Sequence, residues 1–152
     1  MTKLRLAEEA DIPTIVEFGA AFHAESSFQP MTFAPEKVAI NVRHGIESGL
    51  VVLAEVDGRI VGGMHGDVVE PWYSSDRMGV EYFLYVLPEF RGSWAAVLML
   101  KAWIRWCAAS GATQIRPGTA AHIGVKADRL YAGLGFRPAG SLYVMNREQF
   151  GD

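Results

Sequence analysis

The sequence of 152 residues has little cysteine and no long apolar run. Its one cysteine, Cys107, excludes an intrachain disulfide and is compatible with a reducing compartment. The longest apolar run, from Trp94 to Leu100, is too short to span a bilayer, and the charged N-terminus does not fit a secretory signal peptide. We therefore expect a cytoplasmic protein with no membrane partner.

Runs of like charge and the common metal and nucleotide motifs are also missing. The formal net charge of −3 comes without a basic stretch, which disfavours nucleic-acid binding. There is no His-x-x-x-His or Cys-x-x-Cys spacing, no Gly-x-x-x-x-Gly-Lys loop and no Gly-x-Gly-x-x-Gly turn. We expect neither a metal nor a nucleic acid as ligand.

What the sequence does have is a regular succession of strand and helix patterns. Half of the residues are hydrophobic, and no linker interrupts the chain, so residues 1–152 are expected to form one domain. The predicted order is β-α-α-β-β-β-α-β-α-β, in which the last strand is "SLYVMNR" and Asp57–Gly58–Arg59 turns a central hairpin. This order predicts an α/β fold, a mixed sheet covered by helices.

A short turn between a strand and an apolar helix has the chemistry of an anion site. Pro88 ends the strand "VEYFLYVL", and Arg91, Gly92 and Ser93 precede the helix. The first N–H groups of a helix lack intrahelical partners and, with the helix dipole, favour an anion. Glycine permits close approach, and arginine suits phosphate. Two interpretations stay open: a phosphate or pyrophosphate site, or a capped helix start with a surface arginine.

Two segments carry a family resemblance. "YVLPEFRGSWAAVLMLKAW", followed downstream by "LYAGLGFRPAG", is similar to the GNAT N-acetyltransferase superfamily. In that family a strand ending Val-x-Pro leads into an Arg-x-x-Gly-x-Gly/Ala turn and a helix, and a later helix carries a tyrosine before a Leu-Gly-Phe turn. The element order is also the family's, and the spacing around Glu81 most resembles small members encoded by phages and prophages. Trp94 departs from the pattern, because it stands where the turn has its first glycine.

The resemblance implies a GNAT-like fold with acetyl-CoA as co-substrate. The turn would hold the coenzyme pyrophosphate, and backbone groups of the preceding strand would pair with the pantetheine arm. Carried onto this sequence, the strand residues are Tyr85, Val86 and Leu87, and the turn residues are Arg91, Gly92, Ser93, Trp94, Ala95 and Ala96.

Glu81 is the expected general base. Because alternate residues of a strand share a face, we expect its side chain beside Phe83 and Tyr85. A carboxylate among aromatic rings has a raised pKa and can take a proton from an ammonium group, directly or through water. The other interpretation is an edge-strand glutamate that faces solvent.

Tyr131, in "RLYAGLGF", matches the family tyrosine, which implies a general acid that protonates the departing thiolate. The alternative is a packed aromatic on an amphipathic helix. Histidines His65 and His122 are weaker candidates near the base or the substrate, and Cys107 is expected to be buried and inert.

The sequence thus favours an enzyme that moves acetyl from acetyl-CoA to a primary amine of a small molecule or a protein. Two alternatives remain: a catalytically silent acyl-CoA-binding module, and a phage host-interaction protein on the same fold. The nearly uncharged helix from Trp94 to Ser110 is either buried in the core or part of a homodimer contact. The acceptor site is expected on the first two helices, the loop between them and the loop from Glu70 to Gly79. Apolar walls would come from Phe28, Trp72 and Tyr73, and the groups that attract a cation would be Glu25, Glu70 and Asp76.

Overall fold

The computed structural model describes residues 1–118 and 124–151, without the side chains of residues 124–126. The strands are β1 (Thr2–Leu6), β2 (Leu50–Val56), β3 (Arg59–Val69), β4 (Arg77–Val86) and β5 (Ala112–Arg116). The helices are α1 (Ile12–Ala24), α2 (Pro35–Ser48), α3 (Ala95–Ala109), α4 (Gly124–Gly133) and α5 (Arg147–Phe150). Single 3-10 turns span Glu9–Asp11 and Pro88–Phe90.

The five strands form one mixed sheet in the order β1-β2-β3-β4-β5. Neighbouring strands are antiparallel except for β4 and β5, which run parallel across the α3 crossover. The hairpin between β2 and β3 turns at Asp57 and Gly58, both with positive φ, as the Asp-Gly pair predicts. The predicted mixed α/β sheet with flanking helices is confirmed.

Helices cover both faces of the sheet, and each face has its own apolar cluster. On one face α3 lies against the sheet through Met99, Trp103 and Cys107, and Leu130 and Tyr131 of α4 pack against the same cluster. On the other face α1 and α2 cover a cluster that includes Phe83 and Tyr85 of β4. Side chains of β4 therefore reach two separate environments, depending on the face to which they point.

The apolar composition of α3 is explained by this position. Its buried residues all lie on the side that contacts the sheet, whereas Lys101, Arg105 and Ala108 are exposed on the opposite side. Within the described residues, no helix combines the length and the apolar character needed to cross a membrane.

The predicted last strand, "SLYVMNR", is wrong. Residues 141–146 form no strand and pair with none in the described part of the chain, and Leu142 and Tyr143 are 99% and 94% exposed. Strand propensity alone does not stabilise an unpaired segment, which needs a neighbouring backbone. A capping box from Asn146 to Gln149 instead begins the short helix α5, which the sequence interpretation missed.

Candidate active site

The site lies where β4 and β5 separate. The two strands pair only from Arg77 to Val80 on β4, while β4 itself continues to Val86. Leu87 donates its N–H to the carbonyl of Val61 on β3, at 2.8 Å. Because successive residues of a strand alternate their hydrogen-bonding direction, the N–H and C=O of Val86 point to the open side, where β5 no longer reaches. This leaves a wedge between the strands. Along its β4 wall the carbonyl of Val86 accepts a hydrogen bond from the Arg91 side chain, and the N–H of Val86 is left open.

A β-bulge in β4 turns Glu81 to the opposite face from the one expected. His65 pairs with Phe83 and Gly66 pairs with Glu81, so that Tyr82 is an extra residue on β4. The extra residue breaks the strict alternation of side chains. Tyr82 packs edge-on against His65, with 4.7 Å between ring centroids. The expectation that Glu81 shares a face with Phe83 and Tyr85 is therefore wrong, since Glu81 points to the α3–α4 face.

The Glu81 carboxyl bridges the two sides of the wedge. Its Oε1 accepts a hydrogen bond from the N–H of Gly118, two residues beyond β5, at 2.9 Å. The same oxygen lies 3.3 Å from the hydroxyl oxygen of Tyr131 on α4. Burial of the carboxyl raises the pKa of Glu81 to about 7, against the opposing effect of these two hydrogen bonds. The group can thus change its protonation state near neutral pH.

The Tyr131 hydroxyl has one hydrogen and two neighbouring acceptors. It donates to the carbonyl of Gly118 at 2.7 Å, which is shorter than its 3.3 Å distance to Glu81. Because the hydroxyl hydrogen is directed to the Gly118 carbonyl, the tyrosine oxygen can only accept a hydrogen bond from Glu81. The contact is therefore favourable when the Glu81 carboxyl is protonated and donates that bond. The pKa of Tyr131 is raised above its ordinary value, mainly because the hydroxyl is buried and to a smaller extent because of the negative charge of Glu81. The two predicted catalytic side chains therefore form one hydrogen-bonded group.

The turn before α3 presents unpaired N–H groups. Gly92 has a φ of +89°, a conformation that other residues adopt at a cost. The hydroxyl of Ser93, one residue before the N-cap Trp94, accepts a hydrogen bond from the N–H of Ala95 at 3.3 Å. Within the described residues, the N–H groups of Gly92, Trp94 and Ala96 donate to no protein acceptor. This helix start therefore has the donors that an anion requires.

The Arg91 side chain is occupied by protein groups. Its Nη2 binds a carboxylate oxygen of Glu25 at 2.8 Å, and its Nε donates to the carbonyl of Val86 at 3.0 Å. The guanidinium also lies 5.3 Å from the centroid of the Tyr85 ring. These contacts connect the end of α1 to the end of β4. The sequence interpretation missed the ion pair, because the partners are 66 residues apart in regions that no motif connects.

Trp94 does not lie in the wedge. It is 68% exposed and lines a shallow surface hollow together with Met1, Thr2 and Val56, at the β1–β2 side of the sheet. The wedge lies at the other side, between β4 and β5. The indole in the place of the motif glycine therefore leaves the open backbone of β4 accessible.

The remaining predicted residues have varied environments. Cys107 is buried beneath the sheet, and burial raises the pKa of its thiol to about 11, as expected for an inert thiol. His65 is also buried, which lowers its pKa, whereas His122 lies outside the described residues. Trp72 and Tyr73 are exposed and stack edge-on at 5.5 Å.

Glu25 and Asp76, two of the residues expected around the acceptor, lie in different surroundings. The Glu25 carboxylate is paired with Arg91, so its charge is already compensated. Asp76 lines a hollow at the start of β4 together with Tyr73 and with Thr113 and Gln114 of β5. This hollow and the turn before α3 lie at opposite ends of β4, and Glu81 lies between them on the strand.

Solved structures of acetyltransferases share this fold. A predicted acetyltransferase with acetyl-CoA from Clostridium acetobutylicum is 18% identical, with a TM-score of 0.78 over 100% of both chains. Glucosamine-6-phosphate N-acetyltransferase from Arabidopsis thaliana is 13% identical, with a TM-score of 0.73 over 96% of this chain and 98% of that one. The structure of AAC(6')-Iy in complex with a bisubstrate analogue, CoA-S-monomethyl-acetylneamine, is 13% identical, with a TM-score of 0.75 over 96% and 97% of the two chains.

The sequence itself matches one family model. No curated protein matches the chain significantly. The model of the acetyltransferase (GNAT) family matches residues 18–136, a range that includes the second half of α1, the wedge, the turn and Tyr131. Because this match covers well over half of the 152 residues, the chain belongs to the GNAT acetyltransferase family.

Proposed function

We propose that this protein is an N-acetyltransferase that moves the acetyl group of acetyl-CoA directly to a primary amine of a small molecule or protein. The observation that carries the proposal is the group formed by Glu81, Tyr131 and Gly118 where β4 and β5 part. A buried carboxyl with a pKa near 7 and a hydroxyl beside it are the proton carriers that acyl transfer to an amine requires.

In this proposal the coenzyme lies along the wedge. The N–H groups of Gly92, Trp94 and Ala96 bind the pyrophosphate, and the helix dipole of α3 adds to the attraction. The pantetheine arm pairs like a strand with the open edge of β4, within the segment from Tyr85 to Leu87. Of these three residues, Val86 has its backbone on the open side, and its N–H is the group free to pair because Arg91 already binds its carbonyl. Arg91 contributes by fixing the turn against Val86 and Glu25.

Glu81 acts as the general base. In its ionised form it takes a proton from the substrate ammonium, and the free amine then attacks the thioester carbonyl carbon. The nitrogen of the tetrahedral intermediate releases its second proton to solvent, so that the product is a neutral amide. Because the pKa of Glu81 is about 7, the ionised form is abundant at neutral pH and the group still has useful basicity. The N–H of Gly118 fixes one carboxyl oxygen during this step.

Tyr131 acts as the general acid. When the carbon–sulfur bond breaks, the hydroxyl gives its proton to the leaving thiolate. Since the raised pKa of Tyr131 disfavours a lasting tyrosinate, the oxygen recovers a proton from the neighbouring Glu81 carboxyl, 3.3 Å away. The base is thereby returned to its ionised form for the next turnover.

The relatives support the reaction class and leave the acceptor open. One similar structure is described with acetyl-CoA, and that of AAC(6')-Iy with the bisubstrate analogue CoA-S-monomethyl-acetylneamine. The acceptor amine, the phage-like origin and the homodimer remain predictions from the sequence. The same applies to a single catalytic domain over residues 1–152.

The test is acetyl-CoA turnover over a panel of primary amines, together with coenzyme binding by calorimetry. We expect Glu81→Gln and Tyr131→Phe to lower kcat by about 10²- to 10⁴-fold and to leave coenzyme affinity within a few-fold. Glu47→Gln, a change of the same kind at an exposed site on α2, is the control and should match the wild type. Coenzyme binding without turnover of any amine would instead favour the silent binding module, and neither binding nor turnover would favour the host-interaction protein.

A further inference from the structure

Two buried polar atoms without a hydrogen-bond partner lie above one pair of residues in the sheet. Three buried side-chain atoms of the described residues have no hydrogen-bond partner: Nε2 of His23, Oε2 of Glu81 and Nε1 of Trp103. The last two are the pair that lies above the sheet. The Glu81 oxygen is an acceptor when ionised, and the indole nitrogen is a donor. Glu81 and Trp103 are therefore complementary in their hydrogen-bonding requirements.

The backbone geometry brings the two groups close together. Trp103 lies so near to β3 at Gly66 that a Cβ atom on Gly66 would be 2.4 Å from Nε1. Gly66 is the cross-strand partner of Glu81. Residues paired across antiparallel strands place their Cβ positions about 5 Å apart on the same face. The indole N–H thus lies above Gly66, beside the Glu81 side chain.

Both groups face away from solvent on the α3–α4 side of the sheet. Trp103 has no exposed surface, and Oε1 of Glu81 is already bound by Gly118 and Tyr131, so that Oε2 is the oxygen left over. A buried donor or acceptor without a partner costs on the order of 1–3 kcal/mol. Proteins commonly satisfy such pairs with one ordered water that has two or more polar neighbours.

We propose that the indole N–H of Trp103 holds Oε2 of Glu81 through one buried water, so that Trp103 is a positioning residue for the catalytic base. Gly118 and Trp103 then fix the carboxyl by its two different oxygens, one from each side of the wedge. The assignment of Glu81 as a base rests on the proposed function, but the contact itself does not.

Among the residues with described side chains, the surrounding elements carry other charged and titratable groups: Arg77, Tyr82 and Tyr85 on β4, Arg59, His65 and Asp67 on β3, Lys101, Arg105 and Cys107 on α3, Arg116 on β5, and Asp128, Arg129 and Tyr131 on α4. Of these, Tyr131 is the one that hydrogen-bonds to the Glu81 carboxyl in the described residues. His65 lies on the opposite face of the sheet, where its ring contacts Phe83.

The test is the titration of the Glu81 carboxyl by carbon-13 NMR, compared between wild type and Trp103→Phe. A donor that favours the ionised carboxyl lowers its pKa, so its removal should raise the midpoint by roughly half to one unit. Trp106→Phe makes the same change at a half-buried position on the same helix and should leave the midpoint where it is. An unchanged midpoint in Trp103→Phe would overturn the proposal.

A second measurement uses the wild-type indole and does not depend on the folding of that variant. The Trp103 N–H resonance should shift with pH at the midpoint of the Glu81 titration, and Glu81→Gln should abolish the shift. An indole resonance that does not respond to the carboxyl would also refute the contact. If the Trp103 resonance follows the Glu81 titration in a protein that transfers no acetyl group, the contact is supported and the proposed function is refuted. Failure of the contact can therefore be told apart from failure of the proposed function.

Discussion

At the scale of single residues, the chemistry depends on the Glu81 carboxyl. Gly118 and Tyr131 are 37 and 50 residues away from it in sequence, and both contact the same oxygen. The sequence predicted Glu81 and Tyr131 by family resemblance, but it gave no sign that they contact each other or that Gly118 joins them. These contacts depend on how far β5 extends before the chain leaves the sheet.

The first prediction concerns the pH dependence of activity. Because the base acts when ionised, kcat/KM should rise with pH to a plateau, with a midpoint at about 7. The profile should be measured with an acceptor amine whose own pKa is well above 8. Glu81→Gln should lack the step, and a wild-type profile that is flat from pH 5 to 9 would contradict the assignment.

The second prediction concerns stability. The pKa of Glu81 is raised in the folded state, from 4.5 to about 7, so the unfolded chain loses this proton first as the pH rises. The contribution of Glu81 to the free energy of unfolding should therefore be highest below pH 4.5 and fall by up to about 3 kcal/mol by pH 7. In urea unfolding at several pH values, the difference between wild type and Glu81→Gln isolates this effect. A difference that is independent of pH would refute it.

At the scale of elements, the bulge in β4 decides which face the base occupies. Strict two-residue alternation predicted the wrong face for Glu81, because a bulge depends on the pairing with β3 and leaves no clear pattern in β4 itself. The helix start was easier to predict, since Gly92, Ser93 and the apolar run that follows are local signals.

The third prediction concerns the turn before α3. Gly92→Ala and Gly58→Ala both place a side chain at positive φ with no neighbouring atom within 4 Å, so each should cost about 1 kcal/mol of stability. The change at Gly92 should also weaken coenzyme binding, since it distorts the N–H groups of the turn. The change at Gly58, in the hairpin between β2 and β3, should not. Equal coenzyme affinities by calorimetry would argue against a pyrophosphate at this turn.

The fourth prediction concerns the close packing of α3 on the sheet. A methyl group on Gly66 would meet the Trp103 ring at 2.4 Å, within a buried contact that has little freedom to move. Gly66→Ala should therefore destabilise the protein by about 1–3 kcal/mol. Gly133→Ala, at an exposed helical position with no atom nearby, should be neutral or slightly stabilising. Thermal unfolding of both variants measures the difference, and similar melting temperatures would contradict the packing described.

At the scale of the whole molecule, the mixed sheet and its covering helices were predictable because their apolar periods are local and long. The last predicted strand failed because an apolar segment becomes a strand only beside a partner, and the sequence does not identify that partner. The link between Arg91 and Glu25 was not predictable for a similar reason, as it arises when the end of α1 folds against the end of β4.

The fifth prediction is the homodimer, which the apolar character of α3 suggested. A dimer through this helix would use its outer side, where Ala108 is exposed together with Lys101 and Arg105. Sedimentation velocity should then give twice the chain mass of 16.7 kDa. Ala108→Glu should dissociate the dimer, and Asn41→Glu on the exposed side of α2 should not. A single-chain mass at all concentrations would contradict the prediction.

A crystal structure with bound acetyl-CoA would test the central claim most directly. We predict a pyrophosphate on the N–H groups of Gly92, Trp94 and Ala96, pantetheine along the open edge of β4, and the thioester sulfur within about 3.5 Å of the Tyr131 hydroxyl. A coenzyme bound elsewhere, or a thioester remote from both Glu81 and Tyr131, would contradict the assignment of this wedge as the site of acetyl transfer.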